Sequence, residues 1–238
     1  MARTFLTTRS TVRWCISIAT PGAGTTHTNG VASAEAEFGR KSKAEDALKE
    51  ARRAANGIED AGLKVEQLAT IAVTFGTKLD DPSKASAYLG AAKDAAEGIT
   101  DPSIRAAAIV DLAGSHHQLG QADEAATMMA SATEAVQQIE DPNKRADAIG
   151  KIAAKATEMK ASNAEELFNE AITVAESIGD TSAKAHRLAD LALAMHRAGN
   201  TAGAQALIKK ASAAAEQIGE QGLKTEAQSK IDGYRQQM

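Results

Sequence analysis

Cysteine and the aromatic residues are scarce in this sequence of 238 residues, which has one Cys, one Trp, two Tyr and four Phe. A single cysteine excludes an internal disulfide, and no Cys/His spacing typical of a metal site is present. With so few rings, the core has to be built from aliphatic side chains and close helix contacts. Alanine is abundant and is the best helix former, so we expect an all-α protein.

The sequence also has no long hydrophobic run and no surplus of basic over acidic residues. No run of about 18 apolar residues occurs, so we expect no membrane span. The formal net charge is −4, and a mildly acidic chain is a poor binder of polyanions. The sequence therefore predicts no nucleic-acid partner.

What the sequence does have is an internal repeat. Isoleucine recurs at intervals of 39 to 41 residues, as Ile58, Ile99, Ile139, Ile178 and Ile218. An acid stands two positions after each isoleucine, a base six positions after it, and an alanine seven positions before it. Self-similarity at this period is typical of stacked helical repeats.

The acid and base columns have a structural interpretation. Each acid and its base are four residues apart at the start of one helix, where the pair can interact. We prefer this interpretation to an exposed basic stripe for phosphates. The acids are Asp60, Asp101, Asp141, Asp180 and Glu220, and the bases are Lys64, Arg105, Arg145, Lys184 and Lys224.

Ten helices are predicted from residue 43 onward, and they alternate with short turns. We write A for the helix that follows each isoleucine and B for the helix that ends at the next one. Asp101-Pro102 and Asp141-Pro142 are helix starts, and Gly120 ends an A helix. The predicted B helices are 43–58, 82–99, 122–139, 163–178 and 201–218, and the predicted A helices are 62–77, 102–119, 142–159, 181–198 and 221–236.

The best preserved unit has large and small residues at a fixed spacing, namely Ile109, Leu112, Ala113, His116, Gly120, Ala125, Met129 and Ala132. This spacing resembles that of the tetratricopeptide repeat. HEAT-type repeats are the alternative, because their period is nearer to that of this sequence. The tetratricopeptide resemblance implies a right-handed α-α superhelix (solenoid) of about five two-helix repeats with a period of about 40 residues.

The first 34 residues differ from the rest, since they contain no acid and include Pro21 and several glycines. We expect two parts: a disordered tail or targeting segment at 1–34, and a tetratricopeptide-like α-solenoid domain at 35–238. The expected location is the cytoplasm. The alternative is an exported protein cleaved near Ala34, because small residues there follow an apolar stretch and three arginines.

The resemblance implies a non-enzymatic scaffold that binds a protein or peptide in a groove lined by the first helix of each repeat. We expect a monomer or a weak homo-oligomer. The family's groove positions fall on Val73, Ala107, Val110, Gly114, His117, Asp147, Gly150, Ala154, Thr157, His186, Ala189, Leu193 and His196.

Two other classes of function stay open. One is a structural, self-assembling repeat protein, although Gln228 and Asp232 in the last helix predict a polar, solvent-exposed face on the terminal repeat. The other is a metal-binding protein or enzyme that uses His116 or His117. The sequence has no nucleophile in register with a base and no phosphate-binding loop. We therefore expect no catalysis, no cofactor and no metal.

Overall fold

The computed structural model describes residues 23–238, with side chains from residue 26 onward. This part of the chain forms eleven α-helices and no strand. The helices are α1 (Ala23–Glu37), α2 (Lys41–Asn56), α3 (Ala61–Lys78), α4 (Pro82–Glu97), α5 (Pro102–Gln118), α6 (Ala122–Val136), α7 (Pro142–Glu158), α8 (Ala164–Glu176), α9 (Thr181–Arg197), α10 (Thr201–Glu216) and α11 (Gln221–Arg235).

The helices pack in neighbouring pairs. Odd-numbered helices are the A helices, and α1, α3, α5, α7 and α9 each pack most extensively against the B helix that follows. Each A helix also contacts the next A helix along the chain. In the described residues, the backbones of successive B helices do not come within contact distance of each other. The architecture is therefore all-α and helical repeat-like.

Helix α1 is an addition to the ten helices predicted from the sequence. It contacts α2 and α3, and it buries Ala32 and Asn29, whose side-chain amide donates to Gln67 Oε1 at 3.2 Å. The expected boundary between residues 34 and 35 falls inside this helix, and α2 is not the first helix of the array. Residues 1–22 lie outside the described part, so a tail or targeting segment there stays a prediction.

The recurring isoleucines lie in the turns, whereas the sequence placed them at the ends of the B helices. Helix α4 ends at Glu97, and the N–H of Ile99 donates to the Ala96 carbonyl at 3.1 Å. The other four isoleucines follow their helices in the same way and all five are buried. Each one fills the core below a turn, so burial of the side chain fixes where one repeat passes into the next.

The four aspartates of the acid column cap their A helices, as predicted for Asp101 and Asp141, whereas the Glu220 side chain makes no capping bond. Asp101 accepts hydrogen bonds from the backbone N–H groups of Ser103 at 2.7 Å and Ile104 at 3.1 Å. These bonds stabilise the carboxylate and hold the pKa of Asp101 below its usual value. Asp60, Asp141 and Asp180 cap their helices in the same way.

The predicted pairing of each acid with its own base is wrong for the described residues, where none of the five pairs forms a salt bridge. Arg105 instead donates through Nη1 to the carbonyl of Ile99 at 3.2 Å. Lys224 donates to the carbonyl of Glu216 at 3.2 Å and pairs with its carboxylate at 2.7 Å. In these two units the base turns back to the end of the preceding B helix, where carbonyls are free. Asp101 is occupied by the start of α5, whereas the Glu220 side chain makes no capping bond.

Candidate functional site

Three adjoining clefts cross the surface of α5, α7 and α9, with volumes of about 340, 330 and 470 Å³. Neighbouring clefts share residues: Ala107, Val110 and Lys151 line the first two. Ala154 and Glu158 line the last two. All the lining residues belong to A helices or their ends, so we call this surface the A-face. It runs from Ile104 on α5 to Ala198 at the end of α9.

The floor of the A-face is made of small side chains. Ala107 and Ala154 are half-buried, and Val110 is 5% exposed. Ile104 stands at the edge of the first cleft and is 49% exposed, which is unusual for so large an apolar side chain in this molecule. Small residues on the floor leave room for another chain to approach the helices closely.

The helices below the A-face approach each other where one of them has glycine. A Cβ atom added to Gly150 on α7 would lie 2.5 Å from Leu191 Cδ2 on α9. On α3, a Cβ added to Gly76 would lie 2.3 Å from Leu119 Cδ2, just past the end of α5. Such separations are far below van der Waals contact, so glycine at these positions lets successive A helices pack closely.

Cations outnumber acids among the residues that line the A-face. This balance differs from that of the whole chain, which carries a net charge of −4. The local surplus gives the A-face a positive potential on an acidic protein. The cations are Lys144, Lys151, Lys155, Arg187 and Arg197, and the acids are Asp111, Asp147 and Glu158.

Some of these charges are paired and some are free. Asp147 pairs with Lys151 at 2.8 Å and with Arg187, whose Nε also donates to Asn143 Oδ1 at 2.9 Å. In the described residues, Lys144 and Arg197 form no ion pair. Both side chains are therefore available to an acidic ligand.

Asp111 lies beside the middle cleft without a cation in contact. Partial desolvation of the carboxyl group raises the pKa of Asp111, although the residue as a whole is exposed, and the nearby Lys155 and Lys151 oppose this shift only in part. The Lys155 side chain lies over Gly114, with Nζ 3.4 Å from the position of a Cβ there, and pairs with Glu158 at 2.5 Å. Of the two carboxylates that line the middle cleft, Glu158 is paired with Lys155, and Asp111 lowers the local positive potential.

The end of the A layer beyond α9 is closed by internal polar contacts. Asp190 on α9 accepts from Lys230 Nζ at 2.8 Å and from the Tyr234 hydroxyl at 2.9 Å, both on α11. Burial, followed by the bond to Asp190, raises the pKa of Tyr234. These groups satisfy one another and leave the open clefts to α5, α7 and α9.

The structure brings five of the predicted groove residues together on the A-face: Ala107, Val110, Asp147, Ala154 and Thr157. Val73 and His186 are half-buried on α3 and α9 and line none of the three clefts. A further four are buried among the helices, where they serve packing. These four are Gly114, Gly150, Ala189 and Leu193.

The remaining predicted residues are two histidines near the turns. His117 lines a separate cleft between α6, α7 and α8. His196 has Nδ1 3.2 Å from the Thr201 hydroxyl, across the turn into α10. The neighbouring His116 is half-buried and has Nδ1 2.7 Å from Gln121 Oε1. No group of three or more potential metal ligands occurs among the described side chains.

The cations of the A-face were missed from the sequence, because the family's groove positions fall mostly on small residues. A signal was present in the spacing of Lys144, Lys151 and Lys155, which are seven and four residues apart on α7. Residues at these separations lie on one side of an α-helix. A search for basic residues on one side of each A helix would have found them.

These features define the chain as an all-α, helical repeat-like protein with an open surface on its A helices. None of the helices in residues 23–238 has the length and hydrophobicity needed to cross a membrane. No protein-family model matches the sequence, and no curated protein matches it.

A solved structure with a similar fold is that of Ton1535 from Thermococcus onnurineus NA1. The TM-score is 0.62 at 20% sequence identity, over 87% of this chain and 57% of that chain. This chain therefore matches little more than half of the length of Ton1535. At this level of identity the similarity shows the fold alone.

Proposed function

We propose that this chain is a non-enzymatic protein-binding repeat protein whose A-face takes an acidic peptide segment of a partner. In this proposal the two-helix repeats are tetratricopeptide-like and wind into a right-handed superhelix, so that the A helices line its groove. The observation that carries the proposal is the row of three linked clefts on α5, α7 and α9.

The shape of the A-face favours an elongated ligand. The clefts are each too small for a folded partner, but they share walls and follow one another across three helices. Half-buried Ala107, Ala154 and Thr157 leave space for a peptide backbone, and the exposed Ile104 offers an apolar contact at one end. A peptide in a groove of a helical protein needs both features: space for its backbone and apolar side chains to contact.

The charge of the A-face favours an acidic ligand. Lys144 and Arg197 stand at the first and last clefts without ion pairs, and Lys151 lies between them. Complementary charges across an interface increase association rates and select against partners of the wrong sign. An acidic segment with small or apolar residues between its carboxylates matches this surface.

Self-assembly through the ends of the array is the weaker alternative. The last helix carries Asp232, which pairs with Arg235 at 2.5 Å, and Gln228, which donates to Glu216 at 2.6 Å. A polar, internally paired end is a poor surface for stacking copies end to end. Analytical ultracentrifugation over a range of concentrations should give the monomer mass throughout, and mass that rises with concentration would favour the alternative.

The proposed function can be tested by selecting peptides from a random library on the immobilised chain. Enriched peptides should be acidic and should bind the double variant Lys144→Glu plus Lys151→Glu at least about tenfold more weakly, as loss of two charge contacts implies. The matched control is Lys93→Glu plus Lys209→Glu, which makes the same charge change on exposed positions of B helices. Failure to enrich any peptide, or equal binding to both double variants, would contradict the proposal.

A further inference from the structure

A larger cleft, of about 690 Å³, lies on the other layer of the molecule, between α2 and α4 and over α3. We call it the N-terminal cleft. It runs along α2 from Glu45 to Asn56, roughly 16 Å at the rise of an α-helix. Its lining residues are Glu45, Lys49, Arg52, Asn56, Lys64, Leu68, Phe75, Lys84, Ala87, Tyr88, Ala91, Asp94 and Ala95.

The floor of the N-terminal cleft is apolar and aromatic. The rings of Phe75 and Tyr88 are stacked, with centroids 5.4 Å apart and planes 8° from parallel. Leu68 continues the floor, and Ala91 and Ala95 form the wall on α4. Phe75 and Leu68 are 3% and 4% exposed and Tyr88 is half-buried, so the rings form an apolar floor whose accessible part is mainly Tyr88.

Cations outnumber acids in the lining of the cleft, with Lys49, Arg52, Lys64 and Lys84 against Glu45 and Asp94. The guanidinium carbon of Arg52 lies 5.8 Å from the ring centroid of Tyr88, and Lys84 Nζ lies 5.1 Å from that of Phe75. Lys84 pairs with Asp81 at 2.9 Å and Lys49 pairs with Asp46 at 2.9 Å. Within the described residues, Arg52 and Lys64 form no ion pair, so two cations beside the apolar floor lack counter-charges.

The equivalent gap between α4 and α6 is built differently. His116 and Met128 stand at the positions of Phe75 and Tyr88. Lys93 stands at the position of Arg52 and pairs with Glu97 at 3.8 Å. Arg105, the equivalent of Lys64, donates to the Ile99 carbonyl and to Gln138 Oε1. The aromatic floor and the unpaired cation at the position of Arg52 therefore set the first gap apart from the second. The base at the position of Lys64 lacks an ion pair in other units as well, since Arg145 and Lys184 form none among the described residues.

We propose that the N-terminal cleft binds a small organic anion with an apolar tail, a medium-chain alkyl carboxylate such as dodecanoate. The volume falls in the range of small-molecule sites, which are apolar with a few placed polar groups. The alkyl chain lies on Leu68, Phe75 and Tyr88, and the carboxylate pairs with Arg52 and Lys64. Both cations then gain the counter-charge that the chain itself does not supply.

Isothermal titration calorimetry of the whole chain with dodecanoate, kept below its micellar concentration, tests this site. We expect saturable binding of one molecule. Dodecyltrimethylammonium has the same tail and the opposite charge, and acetate has the same charge and no tail, so both should bind at least about tenfold more weakly. No binding of dodecanoate, or equal binding of either control compound, would overturn the proposal.

Two sets of variants locate the site. Arg52→Gln plus Lys64→Gln should weaken dodecanoate binding by about tenfold or more, whereas Lys93→Gln plus Lys184→Gln, at the same repeat positions in other units, should not. Ala91→Trp should fill the exposed cleft and abolish binding, and Ser131→Trp, at the position of Ala91 in the next repeat, is its control. If each variant and its control bind alike, dodecanoate binds elsewhere and the assignment is wrong.

Discussion

The A helices and the B helices are built from similar alanine-rich sequences, but the two layers join successive repeats in different ways. Each A helix contacts the next one, and Gly76 and Gly150 remove the side chain where another helix comes closest. The B helices have no backbone contact with one another in the described residues. Ion pairs between long side chains connect some of them across the gaps. Lys84 reaches Glu45 at 3.5 Å, and Lys210 reaches Glu176 at 2.6 Å.

This difference indicates which layer couples the repeats. Exposed ion pairs contribute about 0–1 kcal/mol each, whereas buried close contacts are sensitive to the addition of a single methyl group. We therefore expect substitutions in the A layer to cost more stability than matched substitutions in the B layer. The B layer in turn has room for open clefts.

The largest effect is expected where two A helices meet at a glycine. Gly150→Leu places a side chain where a Cβ alone would lie 2.5 Å from Leu191 Cδ2, and overpacking of this kind costs about 3 kcal/mol. Gly90→Leu on α4 is the control, because nothing lies within 4 Å of a Cβ there. Thermal unfolding by circular dichroism should show a clearly lower Tm for Gly150→Leu only. Equal Tm values would contradict the close packing of α7 on α9.

A somewhat smaller effect is expected at the alanine that stands seven positions before each recurring isoleucine, which we call the alanine column. Ala132 on α6 is 0% exposed and Ala130 is exposed, although they are two residues apart. Ala132→Leu should lower the free energy of unfolding by about 1–2 kcal/mol through overpacking. Ala130→Leu should change it little. Chemical denaturation of the two variants measures this difference, and identical midpoints would mean that the alanine column is not a packing column.

Ion pairs allow the two layers to be compared directly. Arg187 joins α9 to Asp147 and Asn143 on α7, and its side chain is 16% exposed. Lys210 joins α10 to Glu176 on α8, and its side chain is 56% exposed. Arg187→Ala should destabilise by about 1–2 kcal/mol, since it leaves a partly buried carboxylate with fewer partners. Lys210→Ala should cost below about 0.5 kcal/mol. If chemical denaturation showed a larger loss of stability for Lys210→Ala than for Arg187→Ala, the conclusion that the A layer couples the repeats would be wrong.

The smallest effect concerns the helix starts, and it depends on pH. Asp101 caps α5, an A helix, whereas Asn163 before α8 makes no capping bond through its side chain. Because the pKa of Asp101 is lowered in the folded state, its stabilisation is present above the unfolded pKa and is lost as the pH falls through the folded pKa. Asp101→Ala should lower the Tm at pH 7, and Asn163→Ala should not. The deficit of Asp101→Ala should shrink below about pH 4, and a deficit independent of pH would show that the carboxylate is not the source.

Much of the helical order could be predicted from the sequence, because local signals mark it. Asp101-Pro102 and Asp141-Pro142 start α5 and α7 at the expected residues. Helix α1 was not predicted, because Ile18, 40 residues before Ile58, is not followed by the acid and the base of the other units: Thr20 and Gly24 stand at those positions. Its order depends on contacts with α2 and α3, including the bond from Asn29 to Gln67.

The candidate surface was only partly predictable. The tetratricopeptide spacing placed Ala107, Val110 and Ala154 on one surface, and the three residues line one cleft. Spacing alone does not show how deeply a residue is buried. Gly150 and Ala189 were therefore placed on the surface, although neighbouring helices bury them. The N-terminal cleft depends on the distance between α2 and α4, which no local pattern encodes. Phe75 and Tyr88, on successive helices of a chain poor in aromatics, were its one visible sign.

The proposal that the A-face binds a partner is tested most directly by hydrogen exchange with mass spectrometry, using a peptide selected on the immobilised chain. The proposal predicts slower exchange on binding in α5, α7 and α9, which carry the three clefts. Exchange in α6, α8 and α10 should change little, since the exposed sides of these helices lie outside the A-face. Protection that falls on the B helices, or on none of these six, would contradict the assignment of binding to the A layer.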